Sequence, residues 1–203
     1  DRRREELKDE IEEKDHIQVG YVGVMGSQEG IDLLLESARI IKERREDIKF
    51  VLIGSGPAAE ELQKQAKEMN LADTVEFTGR ISDKELVRRL VESDICVNPD
   101  RATPMNDKST MNKIMEYMSV KKPIVQFNLT EGRYSAQEAS LYAAKNDPKD
   151  MADKIIELAN NPERREIMGK SGRQRLEEKL SWQNQKKELK KLYDELFNNQ
   201  NRN

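Results

Sequence analysis

Five short apolar runs that alternate with segments of helical period constrain this chain more than any other feature of it. The runs are IQVGYVGVMG (17–26), KFVLIG (49–54), TVEFTG (74–79), DICVNP (94–99) and IVQF (124–127). They are rich in β-branched residues and bounded by Gly, Pro, Asn or Ser, so they read as strands. Between them lie IDLLLESARIIKERRE, AAEELQKQAKEMN and SDKELVRRLVES, which carry apolar residues at helical spacing. In the last of these, Ser82 with Glu85 three residues on has capping-box spacing. A sixth, shorter strand is expected around Leu141. Such alternation predicts an α/β fold: a doubly wound, Rossmann-like, mostly parallel sheet of about six strands with helices on both faces. Ligands of such sheets lie beyond the strand carboxyl ends, near the point where strand order reverses. The loops that end there are GVMGSQEG, GSGP, TGRIS and NPDRATPMNDKST, all rich in Gly, Ser, Thr, Asn or Asp.

The stretch 98–128 is the most informative of these. Pro99, Pro104 and Asn106-Asp107 make a loop. Ser109 or Thr110 is expected to cap the helix that follows, in which Met111, Ile114, Met115 and Met118 recur at helical spacing. Lys121-Lys122 suit the helix end and Pro123 blocks its continuation. A helix N-terminus after a strand end favours an anion, because free N–H groups and the dipole both point at it. Glu116, about two turns into that helix, is too far along to cap but suits the vicinal hydroxyls of a sugar. In the first loop, Gly23, Gly26 and Gly30 allow close approach of a ligand to backbone, but their spacing is not GxGxxG and serves equally as a tight strand–helix turn.

Composition narrows the chemistry. A length of 203 residues suits one domain or one lobe of a larger protein. A net charge of -3 argues against nucleic acid as the main partner. The single Cys96 lies in a strand pattern and reads as an inert core thiol, and one Cys with one His, His16, cannot make a His/Cys zinc site. No metal is expected, no Ser/His/Asp or Cys/His nucleophile arrangement is present, and no apolar run reaches membrane-spanning length. Three regions are expected: a charged linker or edge (1–15), a Rossmann-like domain (16–180), and a C-terminal helix with a frayed tail (181–203). The opening DRRREELKDEIEEKD has no initiator Met, so an excised piece of a longer chain is expected. TEGRYSAQEAS reads as loop, PERREIMGKSGRQRLEEKL as a helix broken near Gly169 or Gly172, and Trp182 as an anchor for the last helix.

The order GVMGSQEGID, FVLIGSGP, VEFTGRIS, ELVRRLVESDICVNP, NDKSTMNKIMEYMSVKKPIV and a late SW resembles the C-terminal lobe of a GT-B glycosyltransferase, nearest to the retaining group 1 family (family four). The resemblance runs from about Gly20 to Phe197. It implies a lobe that binds a UDP- or GDP-type sugar donor, with no cofactor besides that substrate. It also implies a partner lobe, N-terminal in the same parent chain, that binds a glycan or lipid-linked acceptor in exopolysaccharide or lipopolysaccharide synthesis. The expected location is cytoplasmic, with peripheral contact of the parent at the inner membrane face compatible. The final helix of such enzymes often braces the other lobe. The family's Glu-x7-Glu motif ends on a ribose-binding Glu, matched by Glu116. Its first Glu falls at Lys108, a departure, with Asp107 beside it as a substitute carboxylate. Backbone N–H groups of Ser109, Thr110, Met111 and Asn112 match those offered to sugar and diphosphate. Gly23 and Gly26 belong to the donor loop, and Gly79, Arg80 and Ile81 match the segment that meets the base. The family's diphosphate-neutralising Arg and Lys fall at Met25 (or its neighbour) and Glu29, so another cation is required. Lys108 is the first candidate, with Lys113 or Arg133 helping. A GT-B sugar-nucleotide epimerase and a non-catalytic nucleotide-binding module remain the alternatives.

Overall fold

The computed structural model describes residues 14–200, with side chains as far as Phe197. The charged opening, residues 1–13, and residues 201–203 lie outside the described part, and with them most of the expected linker. Six strands form one parallel sheet: β1 (Ile17–Val22), β2 (Ile48–Ile53), β3 (Val75–Gly79), β4 (Ile95–Asn98), β5 (Ile124–Phe127) and β6 (Ser140–Ala143). Their order is β3-β2-β1-β4-β5-β6, so the direction of winding reverses between β1 and β4.

Among the described residues, eight α-helices connect and flank the strands: α1 (Ile31–Lys42), α2 (Ala59–Glu68), α3 (Asp83–Glu92), α4 (Asn112–Ser119), α5 (Thr130–Ala136), α6 (Pro148–Ala159), α7 (Pro162–Arg175) and α8 (Trp182–Gln200). Period-two alternation divides the sheet's side chains between two cores. Val19, Tyr21, Phe50 and Leu52 face the layer built by α1, α2 and α6, with Leu34, Leu35, Ile41 and Ile155 fully buried there. Val22, Val51, Ile53, Cys96 and Ile124 face α3 and α4, against Leu90, Ile114, Tyr117 and Met118. Burial pushes the Cys96 thiol up to about 12, which fits an inert core residue.

The winding reversal opens a seam. β1 and β4 share only the register pairs Val19↔Ile95 and Gly20↔Cys96, whereas β1 and β2 are paired from Ile17↔Ile48 to Val22↔Ile53. Above the last β1–β4 pair, one side chain replaces the ladder. The Tyr117 hydroxyl accepts from the Val22 N–H and donates to the Val97 carbonyl, both at 3.0 Å. The ring is fully buried, which raises its pKa well above the usual value, so the hydroxyl keeps its proton.

Three local expectations differ from the structure. TEGRYSA is the helix α5, not loop. The helix through Gly169 and Gly172 is unbroken to Arg175 and then widens into a π turn, Leu176–Leu180. Its glycines serve contact: a Cβ on Gly169 would lie 2.1 Å from the Lys121 carbonyl oxygen, and one on Gly172 2.9 Å from Ala139 Cβ. Trp182 does not anchor α8, since it is 65% exposed. Leu189, Leu192, Tyr193, Leu196 and Phe197 form an exposed apolar row on the same helix, whose backbone stays helical to Gln200. Ser82 does cap α3, accepting from the Glu85 N–H at 3.3 Å, while Glu85 itself binds Arg88 and Arg89.

Candidate functional site

At the carboxyl ends of β1 and β4 two loops, 23–30 and 99–111, are stitched together. The Arg101 N–H donates to the Gln28 carbonyl at 3.0 Å, its Nε to the Ser27 carbonyl at 3.1 Å, and its guanidinium pairs with Asp32. Asn106, 4% exposed, donates from Nδ2 to the carbonyls of Gln28 and Arg101, both at 3.0 Å. Gly30 (φ 60°) lets this happen: any Cβ there would lie 2.1 Å from the Pro99 carbonyl oxygen. Loop 23–30 also rests on the loop after β2. The Met25 N–H donates to Ser55 and the Met25 carbonyl accepts from Ala58. Gly54 (φ 136°) is required there, because a Cβ would meet the Gly23 carbonyl oxygen at 1.9 Å.

The helix α4 begins here, later than the sequence suggested. Its N-cap is Met111 in extended conformation, with no side-chain cap. Ser109 and Thr110 are not caps: the Ser109 hydroxyl donates to the Met105 carbonyl and the Thr110 hydroxyl to Glu131, both at 2.8 Å. The Asn112 and Lys113 N–H groups are left without a side-chain acceptor, as an anion site requires, while the Ile114 N–H is taken by the Met111 carbonyl at 3.1 Å. Because α4 starts at Asn112, Glu116 lies about 6 Å along the axis from the helix start, just over one turn. It is exposed and makes no side-chain bond among the described residues.

Beneath the α4 N-terminus lies a buried charged cluster. Lys113 Nζ binds both oxygens of Asp100, at 2.9 and 3.1 Å, and sits 5.1 Å from the centroid of the Tyr21 ring. Asp100 is 2% exposed, and burial raises its pKa although Lys113 opposes the rise. Glu29 lies close enough to push the same carboxyl further up. The Tyr21 hydroxyl donates to the Val24 carbonyl at 2.8 Å. Asn98, at the end of β4, is 1% exposed and its Oδ1 has no partner.

The other residues singled out from sequence occupy distinct places. Gly23 packs on this cluster, since a Cβ there would lie 2.6 Å from the Tyr21 hydroxyl and 3.4 Å from Lys113 Cε. The Gly26 N–H is taken by Glu29 Oε2 at 3.1 Å, and Met25 is buried in the core. Gly79 has φ 68° with open space around it, and Arg80 beside it is exposed while Ile81 packs on the second core. Lys108 is exposed and without a side-chain partner among the described residues. Asp107 is engaged: it accepts from the Thr130 N–H (3.1 Å), the Thr130 hydroxyl (2.7 Å) and Lys145 (3.0 Å). Arg133 binds Asn128 Oδ1 and stacks 4.1 Å from the Tyr142 ring centroid, on the β6 side of the sheet. The loop-stitching role of Arg101 and the pairing of Lys113 with Asp100 were not legible in the sequence. Their only signal was charge in a loop that ends at the crevice. Among the described residues no group of three or more His, Cys, Asp or Glu could hold a metal ion, and no helix is long and apolar enough to cross a membrane.

Known proteins resemble this chain along nearly its whole length. An uncharacterized glycosyltransferase of Methanocaldococcus jannaschii is 28% identical over 178 residues, which cover 87% of this chain and 47% of that protein. The C-terminal domain of a glycosyl transferase group 1 family protein (LpcC) from Francisella tularensis superposes with a TM-score of 0.71 at 19% identity, covering 89% of this chain and 93% of that one. Anabaena HepE, solved with UDP and glucose, superposes with a TM-score of 0.69 at 14% identity, covering 85% and 46%. The chain thus spans about half the length of the curated relatives it matches. The sequence profile of the family described as "Glycosyl transferases group 1" matches residues 2–175, and the chain belongs to that family.

Proposed function

We propose that this chain is the donor-binding half of a retaining glycosyltransferase that moves a sugar from a UDP- or GDP-type nucleotide sugar to a glycan or lipid-linked acceptor. The observation that carries this reading is the N-terminus of α4. It stands at the winding reversal with its N–H groups uncapped, and it carries an exposed, unbonded Glu116 just over one turn on. A diphosphate suits the first feature, since it supplies the missing acceptors and meets the positive end of the dipole. Ribose hydroxyls suit the second, since an ionised carboxylate accepts from both at once. Gly79, Arg80 and Ile81, at the end of β3, are assigned to the base. Exposed Lys108 is assigned to the leaving diphosphate, where a cation stabilises charge as it develops. Thr110, Met111 and Asn112 offer backbone N–H groups to the sugar and phosphates, whereas the Ser109 N–H, expected to join them, is taken by the Asn106 carbonyl at 3.2 Å. Support also comes from the neighbour solved with UDP and glucose. Retention follows from the family resemblance and is read from the anomeric configuration of the product.

Calorimetric titration with UDP, GDP and ADP tests the reading, with Glu116→Ala alongside. One nucleotide is expected to bind and to weaken at least tenfold in the variant, a loss of about 1.4 kcal/mol. Binding that ignores the substitution would move the ribose elsewhere.

A further inference from the structure

We infer that the cleft at the β6 edge, between Arg133, Tyr134, Gln137, Glu138 and Tyr142, is a second binding site and takes a neutral oligosaccharide segment. This goes beyond the donor-site reading above and does not depend on it.

The cleft encloses about 460 Å³, within the range of roughly 300–1,000 Å³ usual for small-molecule sites. Its lining comes from α5, the turn Gln137–Ala139 and β6, and none of it from loops 23–30 or 99–111. Arg133 is held in place there. Its Nε donates to Asn128 Oδ1 at 2.9 Å, and its guanidinium lies 4.1 Å from the Tyr142 ring centroid. Its two terminal nitrogens bond to none of the described residues, so a donor fork stands ready and unused. The Glu138 carboxylate and the Gln137 amide line the same cleft and are likewise without a side-chain bond among the described residues. Elsewhere the chain joins such charges: Arg44 to Asp153, Arg88 to Glu85 and Glu92, Arg101 to Asp32, and Arg164 to Glu157. Here a guanidinium and a carboxylate share one cleft and do not pair. Vicinal hydroxyls fit between them, since each accepts from an N–H and donates to a carboxylate oxygen. One cation and one anion leave the lining without net charge, which favours an uncharged sugar over a phosphate or a nucleotide. Tyr134, 62% exposed, adds ring surface for the C–H face of a sugar. Backbone strain marks the same place. Gln137 has φ 44° and ψ -120°, a conformation ordinarily left to glycine. The Tyr142 hydroxyl helps to hold it, donating to the Gln137 carbonyl at 2.7 Å. The Gln137 side chain is exposed, so packing does not explain why a glycine does not stand there; an amide that lines a ligand cleft does.

The test is an amide NMR titration of the whole 203-residue chain with maltotetraose, cellotetraose, mannotetraose and chitotetraose, and with the acidic tetragalacturonate. At least one neutral tetraose is expected to shift the Gln137, Glu138 and Tyr142 amides saturably. Arg133→Met, which keeps the stem but removes the donors, and Tyr134→Ala, at an exposed position, are each expected to weaken that binding at least about tenfold. Gln137→Gly is expected to weaken it as well while raising the urea midpoint, because the strain is relieved. A residue that served only the fold would not separate the two readouts. UDP affinity, measured by calorimetry, is expected to be the same in the wild type and Tyr134→Ala. The site is overturned if no neutral tetraose shifts these amides, if tetragalacturonate binds more tightly than all of them, or if Tyr134→Ala binds the tetraose as the wild type does. A UDP affinity that falls in Tyr134→Ala would merge the cleft with the nucleotide site and overturn it too. If the chain binds a neutral tetraose here but no nucleotide, only the donor-site reading fails.

Discussion

Asp107 shows how a residue can stand beside the position a family motif points to, here Lys108, and still be spoken for by its neighbours. Bonds from the Thr130 hydroxyl and from Lys145 hold its carboxyl at about 2, below the ordinary carboxylate range. A depressed folded-state value means that the stability it adds is complete above its unfolded value, about 3.9, and is lost as pH falls through the folded one. Urea midpoints of the wild type and Asp107→Asn are therefore expected to differ above about pH 4 and to converge toward pH 2, in the window set by those two values. Glu29 allows a second prediction. Glu29→Gln keeps an oxygen for the Gly26 N–H but removes a charge from the crevice, so nucleoside diphosphate affinity should rise while nucleoside affinity does not. The place of Glu116 on α4 was legible in the sequence because it depends only on position along one helix, while the ribose role proposed for it comes from the family resemblance. The Lys113–Asp100 pair was not, because its members stand thirteen positions apart across loop and helix turn, and no spacing rule spans an irregular loop.

At the scale of single elements, the strands and the longer helices follow their periodicity, and the departures have definite causes. α5 was read as loop because TEGRYSA carries no apolar repeat and includes Gly132 and Ser135, both weak helix formers. Tertiary contacts outweigh that weakness: Asp107 accepts from the first-turn N–H of Thr130, and Arg175 donates to the carbonyls of Tyr134 and Ser135. α7 reverses the case. Propensity places a break at Gly169, yet the helix persists because only glycine admits the Lys121 carbonyl so closely. Gly169→Ala gains up to about 1 kcal/mol of helix propensity but overpacks against backbone, at a cost of about 1–3 kcal/mol. Urea denaturation should show net destabilisation, against the sign that propensity gives. Tyr117→Phe should cost about 1–3 kcal/mol in the same assay, because it leaves the buried Val22 N–H and Val97 carbonyl unpaired.

Across the whole molecule, the alternation of strands and helices announced a doubly wound sheet, but the strand order β3-β2-β1-β4-β5-β6 was not readable from it. Order depends on which way each crossover turns, and no single residue encodes that. The apolar row of α8 was likewise legible only as a helical period. Its exposure is a property of the fold, and bracing of another lobe is what the family resemblance offers for it. Leu192→Gln and Leu196→Gln should leave the chain's own stability within about 0.5 kcal/mol, as for other solvent-facing positions. The seam between β1 and β4 has a consequence of another kind. The sheet consists of two three-stranded halves, and above their last paired residues the Tyr117 hydroxyl is the bridge, mounted on the helix that offers its N-terminus to the crevice. The Val22 amide can exchange its hydrogen with solvent deuterium only when α4 lifts from the sheet. Its exchange rate is therefore a gauge, readable one amide at a time, of how firmly the two halves are clasped. A ligand gripping the head of α4 should slow that rate while leaving the amides of β3, at the far edge, ticking as before.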